Sequence, residues 1–69
     1  MPLIEATVAA GRTPEQLRTL MRELHGAVER SLGSPAQSIR VIVREVPPEH
    51  WSSGGVTLAE KAAAAPAAG

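Results

Sequence analysis

Pro2, Arg12, Arg40 and Trp51 are the residues of this chain whose types could do chemistry together. Pro2 directly follows Met1, and an initiator methionine ahead of a small residue is ordinarily removed, so the mature chain would begin with a secondary amine on a rigid ring. An α-amino group titrates at about 7.7–8.0. Desolvation or a neighbouring cation keeps such a group neutral, and a general base works best when its pKa lies near the operating pH. Arginine carries a planar fork matched to carboxylate geometry, so two arginines flanking a basic amine suit a small dianionic substrate. Trp51 would supply a dry wall that favours the neutral amine, and the arginine cations push in the same direction.

Each residue also has a plainer reading. Met-Pro is a tolerated start in many chains. Arg12 reads equally as a solvated loop residue, Arg40 as half of a cross-sheet pair with a glutamate, and Trp51 as an interface anchor, a role compatible with lining a pocket. Gly54-Gly55 lacks the lysine and following helix of a phosphate loop and reads as a hairpin turn. His25 belongs on a helix, partly exposed, and His50 stands alone beside Trp51.

Positioning these residues falls to three elements. From Leu3 to Val8 the even positions Ile4, Ala6 and Val8 are apolar while Glu5 and Thr7 are polar, the period-2 pattern of a half-buried strand. Thr13-Pro14-Glu15-Gln16 carries a helix cap, a first-turn proline and the glutamine of a capping box. Leu17, Leu20, Met21, Leu24, Val28 and Leu32 then recur at steps of three and four, and Gly33 with Pro35 stops the pattern, predicting an amphipathic helix over 14–32. Ser34–Gln37 is a turn. Ser38 to Val46 is β-branched, with Ile39, Val41 and Val43 on one face and Arg40, Ile42 and Arg44 on the other. Strand, helix, strand is a β-α-β unit with parallel strands and a right-handed crossover. Pro47-Pro48 closes the second strand. Val56-Thr57-Leu58 reads as a short extended piece after the glycine turn, and the alanine-rich residues 62–69 as a flexible or weakly helical tail beyond a single domain at 1–61.

Sixty-nine residues make one domain with a small core,. There is no cysteine or aspartate, and the two histidines are isolated, so disulfides are ruled out and neither a metal nor any other cofactor is expected,. Seven basic residues balance seven glutamates, which argues against nucleic acid as a partner,. No apolar run approaches the roughly 20 residues of a membrane span, and no leader pattern is visible, so the expected location is the cytoplasm. Two strands and one helix leave sheet edges and one sheet face uncovered. Self-association is therefore expected, with strand ends and loops of different subunits meeting at shared sites.

Across roughly residues 2–58 the chain resembles the 4-oxalocrotonate tautomerase family. The resemblance rests on Pro2 opening a strand, Gly11-Arg12 before the helix, the Ser38-Ile39-Arg40-Val41-Ile42 strand, and His50-Trp51 ahead of Gly54-Gly55. It implies an α+β fold, a β-α-β unit with a short C-terminal hairpin, assembled as a homohexamer built as a trimer of dimers. It also implies a cofactor-independent isomerase that converts 2-hydroxydienoates such as 2-hydroxymuconate, or related 2-oxo acids, between enol and keto forms in aromatic catabolism. In that family the position of Pro2 is the general base and that of Arg12 binds the distal carboxylate. Arg40 matches the residue that binds the 2-oxygen and adjacent carboxylate, and Trp51 a pocket-lining aromatic, with the two arginines coming from neighbouring subunits. The aromatic position is usually phenylalanine, so Trp51 reshapes the pocket. The related haloacrylate dehalogenases need an added carboxylate where this chain has Trp51-Ser52-Ser53, which disfavours hydrolytic dehalogenation. Two other readings are an enzyme in which the Pro2 amine attacks a carbonyl to form an iminium, and a non-catalytic oligomeric binding module that keeps Met1.

Overall fold

The computed structural model describes residues 1–64. Strand β1 (Leu3–Ala9) leads to helix α1 (Pro14–Leu32), a 3-10 turn (Ala36–Ser38) and strand β2 (Arg40–Val46). A second 3-10 turn (Pro48–His50), the two-residue strands β3 (Ser52–Ser53) and β4 (Val56–Thr57), and helix α2 (Leu58–Ala64) complete the order. β1 and β2 pair in parallel, with Leu3 opposite Arg40 and Ala9 opposite Val46. β3 and β4 form an antiparallel hairpin turned by Gly54 and Gly55 at φ +63° and +80°, a region that glycine enters without steric cost. The architecture is thus the expected α+β one.

α1 begins and ends as its sequence dictates. The Thr13 hydroxyl accepts from the Gln16 amide at 3.1 Å while the Gln16 side chain accepts from the Thr13 amide at 2.9 Å, which satisfies two amides that have no partner within the helix. Gly33 adopts the left-handed conformation and donates to Glu29 O at 3.0 Å, closing the last turn.

Two boundaries differ from the sequence reading, and both are set by local hydrogen bonds. β2 starts at Arg40 rather than Ser38. The Ser38 amide and hydroxyl both donate to Pro35 O, at 3.0 and 2.8 Å, and this holds Ala36–Ser38 in a turn before extension begins. Leu58, expected to be extended, opens α2 instead. The Thr57 amide donates to Glu60 Oε1 and the Glu60 amide to Thr57 Oγ1, both at 3.1 Å, a second capping box. Thr57's amide, with its hydroxyl second, holds the Glu60 carboxyl below its ordinary value. Ala62–Ala64, placed by the sequence in the tail, are the last residues of α2. The rest of that tail lies outside the described residues.

Ile4, Ala6 and Val8 share one sheet face with Val41 and Val43, and all are partly covered. Of the helix stripe, Leu17, Leu20, Met21 and Leu24 are partly covered and Val28 is buried, whereas Leu32 in the final turn is 66% exposed. Among the described residues only Val28 and Ile39 are buried, and no side chain is fully enclosed. The opposite sheet face is open, with Leu3 and Ile42 exposed beside an Arg44 Nη2–Glu5 Oε1 bridge of 3.1 Å. The radius of gyration is 15.8 Å, against about 11 Å for a self-contained globule of this length. A single subunit leaves apolar surface that a second one would cover.

Candidate active site

The parallel register sets where the four candidate residues stand. Pro2 immediately precedes β1 and Arg40 opens β2, and the Arg40 amide donates to Pro2 O at 3.0 Å. This backbone bond sets the main chains of Pro2 and Arg40 side by side at the start of the sheet. Met1 is 89% exposed at that end, where its removal disturbs no packing. The Arg40 guanidinium is exposed, and its Nη1 donates to Gln37 O at 3.1 Å. One N–H of the fork is thereby anchored to the turn before β2, and the Nε–Nη2 side is left for a ligand. Arg40 makes no cross-sheet pair with glutamate; Arg44 has that role, with Glu5.

Arg12 stands at the opposite end. The Ala10 amide donates to Val46 O at 2.8 Å, keeping the sheet paired to the end of β1. Gly11 then turns the chain at φ +128°, a conformation open to glycine and costly to other residues. This turn lets Arg12 Nη1 fold back onto Ala9 O at 2.7 Å. Arg12, like Arg40, is held through Nη1 by the carbonyl three residues upstream. Seven residues of strand at roughly 3.3 Å each put Arg12 some 20 Å from Pro2,, a gap its tethered side chain cannot span.

Trp51 also follows from the Arg12 end, since β2 finishes at Val46 opposite Ala9. The indole is half-buried, and its residue's carbonyl accepts the Leu58 amide at 2.8 Å. α2 packs against the Pro48–His50 turn and β4, so the C-terminal arm carries Trp51 as part of one small unit. The structure therefore brings Pro2 and Arg40 together and sets Arg12 and Trp51 apart at the other end of the sheet. The sequence reading missed α2, the support for Trp51. Its signal was Thr57-x-x-Glu60, the same kind of cap that had been recognised at Thr13.

A parallel β-α-β unit with a C-terminal hairpin, a proline just ahead of β1 and an arginine opening β2 fits a class of small oligomeric enzymes. The sequence profile of that class, described as tautomerase enzyme, matches residues 2–61. The chain is 44% identical over 55 residues to a 2-hydroxymuconate tautomerase of Stutzerimonas stutzeri, covering 80% of this chain and 87% of that one. TomN, a 4-oxalocrotonate tautomerase homologue in the tomaymycin biosynthetic pathway, has a crystal structure that superposes with a TM-score of 0.89 at 43% identity, covering 91% of this chain and 97% of TomN. A heterohexameric 4-oxalocrotonate tautomerase from Chloroflexus aurantiacus superposes with a TM-score of 0.82 at 40% identity, covering 87% and 97% of the two chains. The chain belongs to the 4-oxalocrotonate tautomerase family, and it is an isomerase.

Proposed function

We propose that this isomerase, with Met1 removed, ketonises 2-hydroxymuconate or a closely related 2-hydroxydienoate, using the Pro2 amine as general base. The observation that carries this reading is the pairing of Pro2 with Arg40 at the head of two parallel strands. The Pro2 nitrogen takes the proton from the 2-hydroxyl group. The electron pair released on that oxygen moves through the diene, and the protonated amine returns the proton to a distal carbon, giving the conjugated ketone. Arg40 offers its free fork to the 2-oxygen and the adjacent carboxylate, where negative charge builds. Arg12 holds the distal carboxylate, and Trp51 excludes water.

Because Arg12 and Pro2 of one chain lie at opposite ends of the sheet, the site is completed by Arg12 of a neighbouring subunit. The single domain accordingly works as a homo-oligomer, a hexamer arranged as a trimer of dimers. The heterohexamer named for the Chloroflexus enzyme supports the number of subunits.

Arg12→Ala tests the division of labour. It is expected to raise KM for diacids about tenfold or more while leaving 2-hydroxydienoate monoacids nearly unaffected, because only diacids offer the distal carboxylate. Equal losses on both would remove that role from Arg12. Mixed oligomers of Pro2→Ala and Arg12→Ala subunits should show a higher kcat/KM for diacids than either variant alone. No such gain would place the two residues in one chain's site.

A further inference from the structure

The C-terminal arm holds Trp51 with very little material. Strands β3 and β4 are two residues each, paired at Ser52–Thr57 and Ser53–Val56, and a lone two-stranded hairpin is marginal in water. Ser52, Ser53 and Val56 are exposed, so burial adds little to it. Helix α2 has seven residues, fewer than the roughly 12–15 at which even a good isolated helix is marginal. Leu58 and Ala59 are partly covered, and every residue from Glu60 to Ala64 is exposed. Neither piece supports itself, so the bonds that join them decide whether Trp51 is fixed.

Those bonds lie on adjacent residues. The Leu58 amide donates to Trp51 O at 2.8 Å. One residue earlier, the Thr57 amide donates to Glu60 Oε1 and the Thr57 hydroxyl accepts from the Glu60 amide, both at 3.1 Å. The Glu60 side chain thus closes the cap immediately before the amide that ties α2 to Trp51, and its charge suits the positive end of the helix. α2 also packs on the Pro48–His50 turn, so a fixed α2 holds the main chain on both sides of the indole. We propose that Glu60 is a positioning residue: by closing the cap of α2 it holds Trp51 in place as the wall of the substrate pocket. Its effect on turnover rests on the ketonisation reading; its effect on Trp51 does not. Without the Glu60 side chain the Thr57 amide loses its acceptor, the first turn of α2 frays, and the Leu58–Trp51 bond opens with it. Glutamine can substitute, since Gln16 accepts from the Thr13 amide in the same way at the start of α1.

Trp51 is the only aromatic residue of the chain, so intrinsic fluorescence reports on it alone. Acrylamide quenching of that fluorescence and steady-state ketonisation of 2-hydroxymuconate are measured on protein beginning at Pro2, with sedimentation velocity verifying assembly. Glu60→Ala should raise the quenching constant about twofold and lower kcat/KM about fivefold, the usual scale for losing one helix cap. Glu60→Gln should match the parent in both, because the cap needs an acceptor and not a charge. Parent-like quenching in Glu60→Ala would overturn the proposal, as would a Glu60→Gln protein that loses as much as Glu60→Ala. Raised quenching with unchanged kcat/KM would also overturn it, by separating the place of Trp51 from turnover. A Glu60→Ala protein that dissociates would make Glu60 an assembly residue instead. Absence of turnover by the parent would sink the ketonisation reading, and quenching alone would then decide whether Glu60 holds Trp51.

Discussion

Replacing Pro2 by alanine, in protein lacking Met1, is expected to lower kcat/KM for ketonisation of 2-hydroxymuconate by about 10²–10⁴, the contribution of a positioned general base. The variant still begins with an amine, so the loss measures what the proline ring adds in orientation and basicity. The fold should be unaffected. Pro2 contributes to the sheet through its carbonyl, which accepts the Arg40 amide, and alanine retains that carbonyl. The ring is only half-buried, so little packing is lost. Steady-state kinetics with sedimentation of the same sample makes the comparison. An assembled variant with full activity would mean that the proline ring adds nothing to the terminal amine as a base.

The second large effect is expected at Arg40. Arg40→Ala should lower kcat by about 10²–10³, the range for removing one donor from a developing oxyanion. Its guanidinium is exposed, and among the described residues it donates to Gln37 O at 3.1 Å, an acceptor that water can satisfy in its place. The loss should therefore fall on turnover and leave assembly intact. Arg40→Lys should recover little, because an ammonium group cannot reproduce the two-pronged contact. A loss confined to KM would mean that Arg40 binds the ground state and transition state equally, contrary to its assigned part.

Both effects concern residues visible in the sequence, because their positions depend on strong local signals. Thr13-Pro14-x-Gln16 and Gly33 place α1 between residues 14 and 32. The alternation from Ile4 to Val8 and from Val41 to Val43 sets both strands and their shared inner face. Once the two strands are parallel and in this register, Pro2 and Arg40 must be neighbours and Arg12 must be distant. Less legible were features that depend on a pair of local hydrogen bonds. The Ser38 hydroxyl delays β2 by two residues, and Thr57 with Glu60 turns an expected extended piece into a helix. The alanines after Lys61 resemble a tail, although alanine is the strongest helix former once a start is supplied. Arg40 illustrates another limit. A charge on an aliphatic strand calls for a partner, and the strand offers two arginines on the same face. The register sets Glu5 opposite Ile42, two residues from each arginine. Side-chain contacts make the choice, Arg44 bridging to Glu5 and Arg40 turning to Gln37 O.

The central claim is that the isomerase acts through a free Pro2 amine, and one comparison isolates it. Two preparations, shown by intact mass to begin at Pro2 and at Met1, are given 2-hydroxymuconate, and ketonisation is followed by ultraviolet absorbance. In the Met1 form the Pro2 nitrogen is an amide with no basic lone pair, while Arg12, Arg40 and Trp51 are unchanged. The account predicts rapid turnover by the Pro2 form and none above background by the Met1 form. Equal turnover by both would contradict it and transfer the base to another residue.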